Sequence, residues 1–282
     1  MELLKVDPFE NVAASALATA QFVPDRDLAV YAIILILGGT FTIDAHVTDV
    51  TIKSGGKQLL PKVTGARLDD LNNYDGIITD AAHLPFFFGD PTANTIRGQR
   101  LGSYDMTIYR RPLTIQVNIG AATNPTLDAY VLVHPPKLQL GLGYDADEAQ
   151  THRALIESIL QPSAAVTRKA FGLSLGSEAG ALIRKIGFFH SNVDSIEVKK
   201  NGLAIFEDVV VALNDYVQDD IFARSPVSGL YVFDPTVDGN QSEALTTVNA
   251  DGSPANYQVL VTASGADTIT TYADVYSKLP LL

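Results

Sequence analysis

The chain has 282 residues, 46% hydrophobic and 18% charged, enough apolar content for two globular domains of ordinary size. A formal net charge of -12 argues against a sequence-specific nucleic-acid binder held by phosphate contacts, which needs a basic surface. The lack of cysteine excludes disulfides, thiolate catalysis and cysteine metal sites, and it fits a reducing compartment or a particle assembled in one.

Residues 1–14 (MELLKVDPFENVAA) lack a basic stretch followed by an apolar core, so they do not read as a signal peptide. They read as an arm or short helix carrying Leu3, Leu4, Val6 and Phe9, with Pro8 interrupting any helix at its start. Residues 16–22 alternate weakly and end at Pro24-Asp25, a turn signal. Residues 28–37 (LAVYAIILIL) are an apolar run of ten, short of the roughly 20 needed to span a membrane. Closed by Gly38-Gly39, the run predicts a buried strand. Phe41, Ile43 and Ala45 alternate with polar residues, and an alternating strand follows over 47–53. Gly55-Gly56 supplies a turn, and 58–60 a short return strand stopped by Pro61. Over 66–74, Leu68 and Leu71 share one face of a short helix. Strands are predicted at 84–88, 104–109, 113–119 and 129–134. Residues 145–160 (DADEAQTHRALIESIL) give a helical stripe with an acidic first turn and a cap at Asp145 or Asp147, closed by Pro162. This segment is predicted to be a linker helix. Beyond it come strands at 182–189 and 193–199, an Asn201-Gly202 hairpin, a helix over 208–216, and strands at 230–233, 257–262 and 268–276.

The second set repeats the first. Val50, Ile52, Lys53 and Gly56 recur as Ile196, Val198, Lys199 and Gly202, each 146 residues later, and Leu71, Asn72 and Tyr74 as Leu213, Asn214 and Tyr216, each 142 later. Asp90-Pro91-Thr92 recurs as Asp234-Pro235-Thr236, and Gln116 and Tyr130 match Gln258 and Tyr272. A period this long describes a duplicated domain rather than a solenoid. Each half holds about eight short strands and connections too short for βαβ crossovers, as in a sandwich or jelly roll. The predicted fold is all-β: two tandem eight-stranded jelly rolls, residues 1–144 with the N-terminal arm and residues 166–282, joined by a helical linker over 145–165.

No catalytic residue emerges. Gly172-Leu173-Ser174-Leu175-Gly176 matches G-x-S-x-G, yet that motif needs a following helix, an acid and then a histidine. Here the chain runs on toward a strand, and no aspartate lies between Ser174 and His190. The five histidines sit at no metal spacing; Glu148 and His152 lie four apart without a third ligand nearby and read as a packing pair. Asp234, Asp238, Asn240 and Glu243 compose an acidic, glycine-bearing loop that resembles a calcium loop in composition but lacks EF-hand spacing, so a solvated loop is the plainer reading. Asp69, Asp70 and Asp75 form a weaker cluster of the same kind. Arg97, Arg100, Arg110 and Arg111 are the one basic concentration, able to face a subunit, a lipid surface or nucleic acid, with ion pairing to the surplus carboxylates the bland alternative.

The segment NVAASALATAQFVPDRDLAVYAIILILGGT (residues 11–40), followed by V-x-x-V-x-I-x-x-x-G-K-x-L-L and L-x-x-L-N-x-Y, resembles the N-terminal part of the major coat proteins of membrane-containing icosahedral bacteriophages of the corticovirus type. IGFFHSNVDSIEVKKNGLAIF, LNDY and YVFDPTV are similar to their C-terminal part. The resemblance implies a double jelly-roll capsid protein, a structural component of the virion and not an enzyme. It would assemble as pseudo-hexameric trimers with itself, neighbouring capsomers and other capsid proteins. The resemblance further implies an internal lipid membrane that the N-terminal arm could meet. It requires no cofactor, with calcium possible. The alternative reading is a tandem jelly-roll carbohydrate-binding or carbohydrate-active protein, which the absence of tryptophan disfavours.

Overall fold

The computed structural model describes residues 1–24, 27–77, 80–173, 175 and 180–278. Its contacts divide the chain into two units, Met1–Ala154 joined by the chain from Tyr276, and Leu155–Val275.

In the first unit the strands are β1 (Glu2–Lys5), β2 (Leu17–Phe22), β3 (Ala29–Gly38), β4 (Val47–Ser54), β5 (Lys57–Val63), β6 (His83–Phe87), the short β7 (Tyr104–Asp105), β8 (Leu113–Ile119) and β9 (Thr126–His134). One sheet runs β1-β9-β3-β6 with β7 also against β3, and the other runs β2-β8-β4-β5. Residues of period 2 point alternately in and out, so Leu113, Ile115, Val117 and Ile119 of β8 are buried while Thr114, Gln116 and Asn118 are not. Ile33 and Val131 from one sheet and Ile52, Ile115 and Val117 from the other are each at most 1% exposed and form the centre of the core. Among the described residues, short α-helices decorate this barrel: α1 (Ile43–His46), α2 (Gly65–Tyr74), α3 (Ile96–Leu101), α4 (Met106–Tyr109) and α5 (Ala146–Gln150).

The second unit contains β10 (Thr151–Leu160), β11 (Val166–Gly172), β12 (Leu182–Phe189), β13 (Val193–Lys200), β14 (Leu203–Val210), α6 (Val211–Tyr216), β15 (Leu230–Phe233), the short β16 (Leu245–Thr246), β17 (Tyr257–Ala263) and β18 (Ile269–Lys278). Its sheets run β10-β18-β12-β15, with β16 against β12, and β11-β17-β13-β14. Strand for strand this is the order of the first unit. Registers agree as well. Lys53 and Lys199 face Thr114 and Gln258, and Val50 and Ile196 face Val117 and Val261. The duplication is therefore structural, and each unit is an eight-strand jelly roll with one added short strand among the described residues. The register also corrects one match: Gln258 corresponds to Thr114, two residues from Gln116, a slip that preserves the face because the side-chain period is 2.

Several expected elements differ. The predicted linker helix at 145–165 is one helical turn, α5, followed by strand β10. Its capping box is real: Asp145 accepts from the backbone of Asp147 and Glu148, and Glu148 reaches back to the Asp145 N–H. The chain then turns extended at Thr151, because residues 152–155 are buried on both faces and a fully buried strand shows no alternation. The division between units falls inside β10, so no separate linker lies between 145 and 165. The N-terminal arm is likewise a strand. β1 pairs with β9, and Val6 and Phe9 are buried while Leu3 is 56% exposed. Residues 43–46 form α1 rather than an alternating strand, with the His46 ring bonded to Thr42. At 104–109 a two-residue strand gives way to α4, since the Asp105 carboxylate accepts from the Thr107 N–H and hydroxyl and caps a helix there. β5 continues through Pro61 because it is an edge strand, where a missing donor is tolerated. The second short helix is α6, starting three residues later than expected.

Candidate functional site

The repeated Leu-Asn-x-Tyr proves to be a fold determinant. Asn72 on α2 donates to the Pro85 carbonyl of β6 at 2.9 Å, and Asn214 on α6 to the Val232 carbonyl of β15 at 3.0 Å. Both amides are buried, and each ties a short helix to the strand beneath it. Asp90 and Asp234 also match: one carboxylate oxygen of each accepts from the N–H and hydroxyl of the threonine two residues on. Asp238 accepts in the same way from the Asn240 N–H, and Asn240 from the Ser242 N–H and hydroxyl. The calcium candidates thus lie in consecutive self-capped turns, with Glu243 near the Asn240 amide at 3.4 Å. Among the described residues no three His, Asp or Glu side chains come together in a group able to hold a metal ion. Asp234 and Asp238 each have one carboxylate oxygen already engaged by donors of the same loop. Ser174 lies outside the described residues.

Glu148 and His152 do not share a helix face. Glu148 pairs with Arg97, whereas His152 sits on β10, fully buried and edge-on to Tyr104 and Tyr109. Burial pushes its pKa down to about 3. Nearby, His134 is held neutral, its pKa brought to about 4 by burial. Its Nε2 lies 2.9 Å from the Ser103 hydroxyl and its Nδ1 2.6 Å from the Pro135 carbonyl, so the proton is on Nδ1. Lys137, also buried, directs its ammonium to the carbonyls of Leu101, Glu148 and Thr151. His134 and Lys137 are satisfied by hydroxyl and backbone partners, whereas the buried His152 Nε2 has no hydrogen-bond partner and its ring is held by aromatic packing. In the second unit, Arg184 and Asp274, both 1% exposed, form an ion pair through Nε (2.9 Å) and a terminal nitrogen (2.6 Å) on one carboxylate oxygen. Sequence reasoning named only His152 among these, as a packing residue; it missed His134, Lys137, Arg184 and Asp274, because a charged or polar residue in a strand or turn reads as solvent-facing.

The arginine cluster divides. Arg97 is ion-paired and stacks on Tyr144. Arg110, in the left-handed conformation that ends α4, and Arg111 are exposed. They border a cleft of about 450 Å³ with Val23, Pro24, Asp27 and Pro112. Val23 is 62% exposed and Ile108, beside them on α4, 38%.

The most exposed apolar surface of the second unit lies on β14 and α6. Leu203, Ile205, Val210, Leu213 and Tyr216 are all accessible, and Ile221 continues the face. In the first unit the matching Leu59, Leu71 and Tyr74 are buried.

Comparison with known proteins accords with this architecture. Residues 3–134 match the family model of the viral coat protein P2 N-terminal domain, and residues 153–279 that of the viral coat protein P2 C-terminal domain. No curated protein matches the sequence. Among solved structures, the major capsid protein P2 from bacteriophage PM2 superposes with a TM-score of 0.78 at 17% identity, over 98% of both chains. The STIV MCP superposes at 0.69 and 13% identity, over 100% of this chain and 98% of that one. The Faustovirus major capsid protein gives 0.61 at 7% identity, over 99% and 90%. At these identities the superpositions speak to the fold, a double jelly roll.

Proposed function

The chain belongs to the viral coat protein P2 family, and from that premise we propose that it assembles as pseudo-hexameric trimers that tile an icosahedral shell. It is a structural capsid protein of the virion, not an enzyme. The observation that carries the trimer is the presence in one chain of two barrels with the same strand order but different surfaces. Three such chains supply six similar edges, so a three-fold ring can occupy a six-fold position. The glycan-binding alternative gains nothing from the family or the fold.

Two finer readings belong with this one. The shell encloses a lipid membrane that the inner surface meets; Leu3 and Met1 are the exposed apolar residues at the N-terminus, whereas Val6 and Phe9 are part of the barrel. No cofactor is needed, the 234–243 loop being ordered by its own turns; a saturable calcium heat in calorimetry, lost in Asp238→Asn, would reverse that reading. Mass photometry of the purified protein tests the assembly. Trimers growing into larger shells are expected, and a strict monomer at every concentration would remove the reading.

A further inference from the structure

The two barrels are copies, so each is a control for the other. Their β4–β5 and β13–β14 registers align residue for residue, which makes Leu203 the counterpart of Lys57, Ile205 of Leu59 and Val211 of Gly65. Leu59 is 0% exposed and Ile205 41%; Leu71 is 5% and Leu213 50%; Tyr74 is 0% and Tyr216 56%. Only part of the first barrel's cover has an internal source that the second lacks. α1 lies in the connection between β3 and β4 and packs on α2. A Cβ on Gly65 would come within 2.5 Å of the Ile43 carbonyl, so α1 sits where a larger side chain cannot. The connection between β12 and β13 is only residues 190–192, with no helix, and Val211 fills the place of Gly65. The second barrel therefore keeps the apolar residues and lacks the lid. Scattered exposed leucines need no explanation, but a contiguous strand–helix face does.

We propose that the β14–α6 face seats a second copy of this chain, and that it takes the surface of Val23, Ile108 and Pro112 flanked by Arg110 and Arg111. Charge selects the occupant. Residues 203–222 carry Glu207, Asp208, Asp215, Asp219 and Asp220 and no lysine or arginine. Two β14–α6 faces brought together would oppose these acids. The arginine-flanked surface offers the opposite sign around an apolar centre, with Asp27 the one carboxylate lining its cleft among the described residues. A contact between unlike faces is heterologous and closes into a ring when repeated about a three-fold axis, each copy using both faces once. The inference rests on the trimer reading above and deepens it by naming the surfaces.

The cysteine-free chain allows a clean test. Single-cysteine variants Leu213→Cys and Ile108→Cys are mixed and treated with a short bismaleimide. Cross-linked dimers are expected from the mixture and not from either variant alone. Equal dimer from Leu213→Cys alone would show a like-to-like seat and overturn the proposal, as would a mixture that gives none while the wild type is trimeric. Asp219→Lys with Asp220→Lys should weaken association at least tenfold with an unchanged melting temperature, and adding Arg110→Glu with Arg111→Glu on the same chain should restore it. Unchanged association in the first variant, or failure of the second to recover, counts against the pairing. A wild type monomeric throughout would remove the trimer itself, an outcome distinct from failed cross-linking within a trimer.

Discussion

His152 and His134 give the first barrel a pH dependence whose direction follows from burial. Burial lowers their pKa values to about 3 and about 4, from the ordinary 6.5 of a histidine. Above pH 6.5 both are neutral, folded or unfolded, and contribute no pH term. As pH falls below 6.5 the unfolded chain takes up protons that the folded one refuses, so stability is lost until pH passes below the folded values. Each ring should cost about 2 kcal/mol by pH 5 relative to neutrality. Urea unfolding at the two pH values checks this, and His152→Gln should flatten part of the slope; an unchanged slope would place the titration elsewhere. Arg184 and Asp274 make a different claim. Arg184→Met leaves a buried carboxylate without its cation and should cost about 3–5 kcal/mol, whereas pairing it with Asp274→Leu should recover most of the loss. Apart from His152, which reads as a packing residue, none of these announces itself in the sequence. Lys137 or Arg184 is by type a surface residue, and only the fold shows that carbonyls or a carboxylate await it. Asn72 and Asn214 were legible, because their recurrence in matching positions marked them before any contact was known.

Gly65 carries an argument about elements. Ile43 and Val47 both crowd the space a side chain would need there, so Gly65→Val should push α1 from α2 and cost about 1–3 kcal/mol. The mirror change, Val211→Gly, meets no such helix and should fall mainly on local backbone entropy, about 1 kcal/mol. Chemical denaturation of the two variants checks the contrast, and equal losses would contradict the account of α1 as a lid. Most strands were legible where one face is wet: β8 and β17 alternate along their length, and both lie where the sequence predicts them. Two of the misread segments, 1–14 and 145–160, hold the same topological place, the outer strand beside β9 or β18. β1 has only four residues, too few to show a period, and Pro8 follows closely. β10 is buried on both faces at its start, and its apolar residues happen to fall on a helical stripe behind a genuine capping box. Local signals for a helix were present and satisfied for one turn, after which tertiary burial overrode them.

On the scale of the whole molecule, the sequence carries the duplication plainly and the surfaces hardly at all. The matches at Val50 and Ile196 or at Asn72 and Asn214 report what the two barrels share, which is packing. Assembly depends on what they do not share, and those differences look minor in a sequence: Gly65 against Val211, Lys57 against Leu203, and a helix present in one connection and missing from the other. The consequence concerns salt. With -12 on each chain, copies repel at long range, and salt shortens that repulsion. An interface resting on Leu213, Tyr216 and Ile205 loses little when charges are screened, because burial of apolar area is insensitive to the Debye length. The arginine–carboxylate rim sets which faces meet more than how tightly they hold. Trimers are therefore expected to persist at about 1 M NaCl, where the Debye length is about 3 Å, and to tighten relative to low salt. Sedimentation velocity across that range decides the matter. Dissociation on adding salt would mean that the charged rim, rather than the uncovered β14–α6 face, holds the copies together.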